Sequence, residues 1–484
     1  MTNSFNINLK KRIISSSSSN ILFQFIITIS RLIQVPILIN FFGADGYGKL
    51  LVIVSAASYI TLFELGLKYF AINRLTKLYF EEKIEKFNIF YLQILKFIFY
   101  ISLSLILILS FASIVLLFLY STNNYIIVSI LLFFINNILI TYLYFFSSYF
   151  KFEGKLVTNF FFEMLIIVIP IFLIVIWTYV KKNSNEFDYI IISLISIFSS
   201  VLIVIFVKKI ILKKFNFLNA FQIKLNIKYI FIILKRSIFF IIFSLNNLIL
   251  VHFSTLIIAY YLNNYLVAQF NTMKTITNII VLSIATLTHP ILSEITRYFT
   301  NKKTYFIDKI INFYFFSSMV ILFMINILLD YYGSDIFYIW IKKGIDFDNK
   351  LFGLLILSTS LNIINILLSN LILAVNKHIK YSKSLTFFNI FYIILCIVLT
   401  RYFGIFGVVY SLIIYETLHM FLLLVIYKLN VSEYVNKVLF FILVFIFLII
   451  LLKVNIYILI LSLLFISFML SRDFLQINSK IENK

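Results

Sequence analysis

The sequence predicts an all-α polytopic membrane protein of about 14 transmembrane helices. Three observations carry that prediction. Apolar runs of ~20 residues, the helix length that crosses a ~30 Å hydrocarbon core, follow one another along the 484 residues with short gaps between them. The composition is 62% hydrophobic yet carries a net charge of +22. A soluble chain that basic would read as a nucleic-acid binder, but here Lys and Arg sit in the gaps, so no nucleic-acid partner is expected. Finally, the basic residues crowd every second gap, as they do when successive gaps lie on opposite sides of a membrane.

The runs are taken in order. The first, 15–41, holds Pro36 and is followed by 50–70. It is too long for a signal-peptide core and no small-residue cleavage site follows, so it is expected to stay as a membrane helix. Runs at 92–119, 125–147, 157–180 and 189–207 complete a first set. A long stretch at 230–260 opens a second, with 265–289, 306–329, 350–375, 384–400 and 404–427 after it. Two more, 437–452 and 454–470, are split only by Lys453. All are too long and too evenly apolar for barrel strands, which alternate over ~10 residues. Helices close their own backbone hydrogen bonds, as lipid demands. No gap is long enough to fold as a separate domain, so the function belongs to the bundle.

One side of the membrane receives Lys10, Lys11 and Arg12, then Arg74, Lys77, Lys83 and Lys86, then Lys151 and Lys155, and a dense run from Lys208 to Arg236. It also receives Arg297, Lys302, Lys303, Lys309, Lys377, Lys380, Lys383, Lys428, Lys437, Arg472, Lys480 and Lys484. The other side receives only Lys49, Lys181, Lys182, Lys342, Lys343, Lys350, Arg401 and Lys453. The richer side is expected to be the cytoplasm, which places both termini there and favours an even number of spans. A single cysteine, Cys396, excludes a disulfide framework and a thiolate metal cluster. There is no Walker A loop and no His-Glu-x-x-His pair, and the four His residues are scattered. No cofactor, no metal and no enzymatic activity are expected.

Polar residues recur at helical spacing inside several runs. Asn20, Gln24, Thr28, Arg31 and Gln34 share one face of the first. Ser237, Ser244, Asn247 and Ser254 line the seventh, and Asn271, Lys274, Asn278, Thr286 and His289 the eighth. A milder stripe, Asn137, Thr141, Tyr144 and Ser148, marks the fourth. Ser, Thr and Asn also glue membrane helices together at ~0.6 kcal/mol per contact, so the neutral stripes alone leave packing and a wet cavity both open. Arg31 and Lys274 tip the balance: a cation near the bilayer centre costs at least ~2.5–3.5 kcal/mol and normally faces water or a partner. Lys68 and Lys96 lie nearer span ends, where snorkelling to the interface and a cavity role are equally open. Three acids are buried in runs: Glu64, Glu163 and Glu416. Each fits ion coupling, pairing with Arg31 or Lys274, or a protonated filler.

Several motifs then resemble the polysaccharide-flippase branch of the multidrug/oligosaccharidyl-lipid/polysaccharide exporter superfamily, the Wzx-type O-antigen and capsule repeat-unit transporters. They are Pro36-Ile37-Leu38-Ile39, Phe42-Gly43-Ala44-Asp45-Gly46-Tyr47-Gly48, Glu64-Leu65-Gly66-Leu67 and Asn73-Arg74-Leu75. Further along come Tyr265-Leu266-Val267-Ala268, His289-Pro290-Ile291-Leu292-Ser293, Ile339-Trp340-Ile341 and Gly404-Ile405-Phe406-Gly407-Val408. Phe42 stands where Leu is usual, and Lys342-Lys343-Gly344 replaces a simpler loop. The resemblance implies two pseudosymmetric six-helix lobes, 1–228 and 229–430, with two additional C-terminal helices and a cytoplasmic tail over 431–484.

It also implies the bacterial cytoplasmic (inner) membrane and a flippase that carries undecaprenyl-diphosphate-linked oligosaccharide repeat units to the outer leaflet by alternating access. The expected partners are that lipid-linked oligosaccharide, membrane lipids, and the polymerase and chain-length components of the same pathway. Under this reading Arg31, Lys274, Gln24, Gln34, Asn247, Asn271, Asn278 and Lys68 line the substrate cavity, and Glu64, Glu163 and Glu416 serve ion coupling. A multidrug exporter or a lipid II flippase of the same superfamily remains the alternative, with a membrane polymerase or acyltransferase behind them. A multidrug exporter would favour acidic cavity residues, whereas the deep charges here lean basic.

Overall fold

The computed structural model describes residues 2–64, 83–119, 125–152, 155–212, 244–279, 304–374 and 378–428, with isolated residues between 66 and 81, between 233 and 242, and at 281 and 284. Every described element is helical, and nine helices among them are long and apolar enough to cross a membrane. The chain is a multi-pass membrane protein. The last two expected helices, 437–452 and 454–470, lie outside the described residues.

In order these are α1 (Thr2–Ser58) with a 3-10 turn after it (Tyr59–Glu64), α2 (Ile84–Leu119), α3 (Tyr125–Phe152), α4 (Leu156–Lys181) and α5 (Asp188–Leu212). After them come helix 244–261, which includes a π turn (Ile249–Phe253) and α6 (Ser254–Tyr261), and α7 over 264–279. The series ends with α8 (Thr304–Ile341), α9 (Asn349–Ala374), α10 (His378–Phe403) and α11 (Ile405–Lys428).

α1 is two helices in one. It breaks at Gly43, whose φ of 73° and ψ of 170° lie outside helical space and are open to a residue without a Cβ. The break separates the runs expected at 15–41 and 50–70. The second leg then stops being α-helical at Ser58, so Glu64 closes a 3-10 turn.

α8 runs well past the expected end at 329. Leu329, Gly333, Phe337 and Ile341 are buried one turn apart, while Asp330, Asp335 and Tyr338 are exposed. That amphipathic pattern sustains a helix where mean hydropathy had fallen. Gly333 is required by the packing: a Cβ there would meet the Phe352 ring at 2.4 Å.

Helices α1 to α5 pack on one another, and α6 packs with α10 and α11 beside the α9–α11 pair. The two groups meet along α1, which touches α6 and α8. The largest apolar core joins them: Val35 to Ala57, Phe133, Ile174, Tyr189 and Ile192 share it with Ile249 to Leu423. Most of these first-group residues lie in the half of the bundle where α1 breaks at Gly43, and Ile53 and Ala57 carry the contact on to mid-depth. The opposite end of the first group has its own core, built on Phe87, Tyr91, Phe145, Phe146, Phe150 and Phe162.

The seam along α1, from Gly48 to mid-depth, is polar as well as apolar. Gly48 lies so close to α7 that a Cβ would stand 1.9 Å from the Asn264 carbonyl oxygen. Trp340 Nε1 donates to the Leu32 carbonyl at 2.7 Å, and His252 Nδ1 lies 3.2 Å from Ser55 Oγ. Beside it, Tyr189 stacks on Phe42 at 4.8 Å and on Tyr125 at 5.8 Å, and its hydroxyl donates to the Gly46 carbonyl. By charge parity the Gly43 end is expected on the outside.

Candidate functional site

At about 1.5 Å of rise per residue, Arg31 stands ~18 Å of helix from the Gly43 break, Lys274 ~17 Å from the turn at Asn263, and Glu416 ~18 Å from the turn at Gly404. All three therefore sit near half the ~30 Å thickness of a hydrocarbon core. The sequence placed them in separate runs; the turns bring them to one depth.

In the first group, Arg31 on α1, Tyr144 on α3 and Glu163 on α4 form a row. Tyr144 lies within electrostatic reach of both the guanidinium and the carboxylate. Glu163 Oε1 accepts a 2.9 Å hydrogen bond from Asn159 Nδ2, one turn earlier on the same helix. Arg31 is exposed on α1 while neighbouring helices crowd its guanidinium. Gln24 and Gln34 are half-buried on the same leg, and Thr28 spends its hydroxyl on the Gln24 carbonyl at 2.8 Å.

In the second group, Lys274 on α7 is half-buried. Its Nζ donates to the Leu250 carbonyl at 3.2 Å and lies 5.3 Å from the centre of the Phe270 ring. Glu416 on α11 is buried and within electrostatic reach of that ammonium, as are Cys396 and His252. Two amides on α9 hold the carboxylate: Asn362 Nδ2 donates to Oε1 at 2.8 Å, and Asn365 Nδ2 to Oε2 at 2.6 Å and to the main-chain carbonyl at 2.8 Å. Each helix group thus holds one deep cation, one acid and an asparagine that binds the acid. Asn362 and Asn365 were not singled out from sequence. Their spacing of three on a buried helix is the signal that would have found them.

The expected stripes fare differently. On α7, Asn271 is half-buried and bonds Val267 and Thr255, while Asn278 is exposed; Thr286 and His289 lie outside the described residues. On the preceding helix, Ser237 and Ser254 are buried but Asn247 is exposed, and Asn246 is the buried amide, accepting from the Tyr415 hydroxyl at 2.6 Å. A single face for Ser237, Ser244, Asn247 and Ser254 assumes a regular helix, and the π turn at Ile249–Phe253 breaks that register between Asn247 and Ser254. On α3, Asn137 donates to the Ala57 carbonyl at 2.9 Å, a packing role between helices. Lys68 and the Glu64 side chain lie outside the described residues.

No family model matches the sequence, and no curated protein matches it. Solved structures do. An inward-facing multidrug resistance MATE family transporter of the MOP superfamily superposes with a TM-score of 0.63 at 11% identity, over 87% of this chain and 99% of that one. An outward-facing structure of such a transporter gives 0.58 at 11%, over 88% and 97%. A MOP superfamily transporter from Pyrococcus furiosus, described as having a binding pocket of reverse polarity, gives 0.58 at 11%, over 88% and 96%. The chain therefore has the fold of the MOP superfamily transporters.

Proposed function

We propose that this protein is a flippase that moves a polyprenyl-diphosphate-linked oligosaccharide from the cytoplasmic to the outer leaflet by alternating access, for assembly of a surface polysaccharide. The observation that carries the proposal is the pair of deep cations, Arg31 and Lys274, one in each helix group of an exporter fold. A diphosphate is too polar to cross lipid alone and needs cationic donors at mid-depth. Arg31 offers a planar fork suited to phosphate oxygens and Lys274 a point charge. The Gln24, Gln34, Asn271 and Asn278 amides would hydrogen-bond sugar hydroxyls, and the lipid tail would stay in the bilayer. The shared core near Gly43 supports an arrangement closed toward the outside and awaiting cargo from the cytoplasm. Glu416, within electrostatic reach of Lys274, and Glu163, which shares Tyr144 with Arg31, are the acids best placed for ion coupling.

The test is export. Arg31→Ala and Lys274→Ala, at normal abundance in the membrane, should leave lipid-linked repeat units stranded on the cytoplasmic face. Full export by both variants removes the diphosphate clamp. The names of the structural neighbours favour a second reading, multidrug export. Deletion would then change susceptibility to cationic drugs and leave repeat-unit export intact.

A further inference from the structure

Helix 244–261 opens into a π turn at Ile249–Phe253. Such a turn accommodates one extra residue in an α-helix. One side chain from a neighbouring helix and one of its own bond the same carbonyl in it. The Leu250 carbonyl accepts from Lys274 Nζ and from Ser254 Oγ, each at 3.2 Å, and Phe253 meets the Tyr392 ring edge-on.

One extra residue turns everything before it by ~100° relative to everything after it. That rotation is why Asn246, 8% exposed, bonds Tyr415 while its neighbour Asn247 faces out. If the turn were absorbed into regular α-helix, each preceding residue would be replaced by the next. Asn247 would take the place of Asn246, and Leu248 the place of Asn247. Tyr415 would keep an amide partner in either register, because two asparagines stand in succession. The exposed position would change from Asn to Leu.

We propose that this helix is a two-register switch, that the Lys274 ammonium latches it in the π register, and that an oxyanion drawing Lys274 off the Leu250 carbonyl releases it into the α register. An ammonium binds a charged oxygen more strongly than a neutral carbonyl, so a diphosphate reaching Lys274 would supply the pull. That last arm and the consequence for cargo rest on the export reading; the latch does not. Released, the helix shows an apolar side chain where Asn247 stood, which weakens the grip on a polar cargo as the carrier changes state.

The test uses the full chain in lipid nanodiscs with Cys396→Ser. Tyr415→Cys is paired with Asn246→Cys or with Asn247→Cys and treated with a short bis-methanethiosulfonate linker. With Lys274 present the 246 pair should cross-link preferentially. Lys274→Met should move the ratio toward the 247 pair by roughly tenfold or more, the worth of a lost charged hydrogen bond, and Lys274→Arg should hold it. Should Lys274→Met assemble poorly, Ser254→Ala removes the other side-chain donor mildly and must move the ratio the same way. An unchanged ratio in the assembled variants overturns the switch. Inorganic diphosphate added to the Lys274 protein should reproduce the shift. A shift with Lys274→Met but none with millimolar diphosphate overturns release by an oxyanion and leaves the latch, and with it separates this inference from the cargo assignment.

Discussion

Gly48→Ala places one methyl group where the two helix groups touch. The new Cβ would lie 1.9 Å from the Asn264 carbonyl oxygen, 2.6 Å from its carbon and 3.1 Å from its Cα, where ordinary contact begins at 3.4 Å. No flexible side chain is available to yield. The Asn264 backbone is fixed in the turn that Asn263 Oδ1 caps by accepting from Leu266 N at 2.8 Å. The helices must therefore part by ~1.5 Å, in an interior as densely packed as a crystal. Overpacking costs about 1–3 kcal/mol, and backbone against backbone belongs at the upper end. Close to 3 kcal/mol moves an equilibrium between two arrangements on the order of a hundredfold.

Ile39, 2% exposed and against Gly344 in the same seam, reports the result. An Ile39→Cys protein should react slowly with an impermeant thiol reagent added from outside, and Gly48→Ala should speed that reaction by one to two orders of magnitude, as the ~3 kcal/mol requires. Gly353→Ala, where an added Cβ meets nothing within 4 Å, should leave the rate alone. Equal rates in the Gly48→Ala and parent proteins, both well folded, would refute the reading of this seam as the outward closure.

Glu416→Gln and Lys274→Met should each destabilise the protein in detergent, and the double variant should lose less than the sum of the two, because these deep charges lie within electrostatic reach of each other; thermal unfolding of the three variants checks this. Asn365→Leu removes two donors from Glu416 and should cost about 2–3 kcal/mol, read as a lowered melting temperature. Lys181→Met unpairs the buried Asp188, whose oxygens accept at 2.6 and 2.7 Å from Lys181 Nζ, and should cost about 1.5–3 kcal/mol in the same assay. Cysteine at Asn123 should label from outside and cysteine at Asn301 should not; the reverse pattern would overturn the charge-parity topology.

Much of the fold was legible because lipid imposes simple rules. A run of ~20 apolar residues has to be a helix, and Gly43 with Gly46 and Gly48 marked the turn between the first two. The extension of α8 was hidden, since Asp330 and Asp335 lower hydropathy, and only the four-residue spacing of Leu329, Gly333, Phe337 and Ile341 betrays it. Among site residues, Arg31, Lys274, Glu163 and Glu416 stood out as charges where charge is costly. Asn362 and Asn365 did not, because an amide in a membrane helix is as often glue as function.

The sequence by itself determined that this is a multi-pass helical membrane protein, and marked the few deep charges any function must accommodate. Those follow from transfer energies of single side chains, which are local. Which acid accompanies which cation, which of two adjacent asparagines is buried, and where the helix groups close were decided only by tertiary structure. A π turn at Ile249–Phe253 and a glycine pressed on the Asn264 backbone are products of contacts between distant segments, and hydrophobic periodicity along one helix carries no record of what its neighbour will press against.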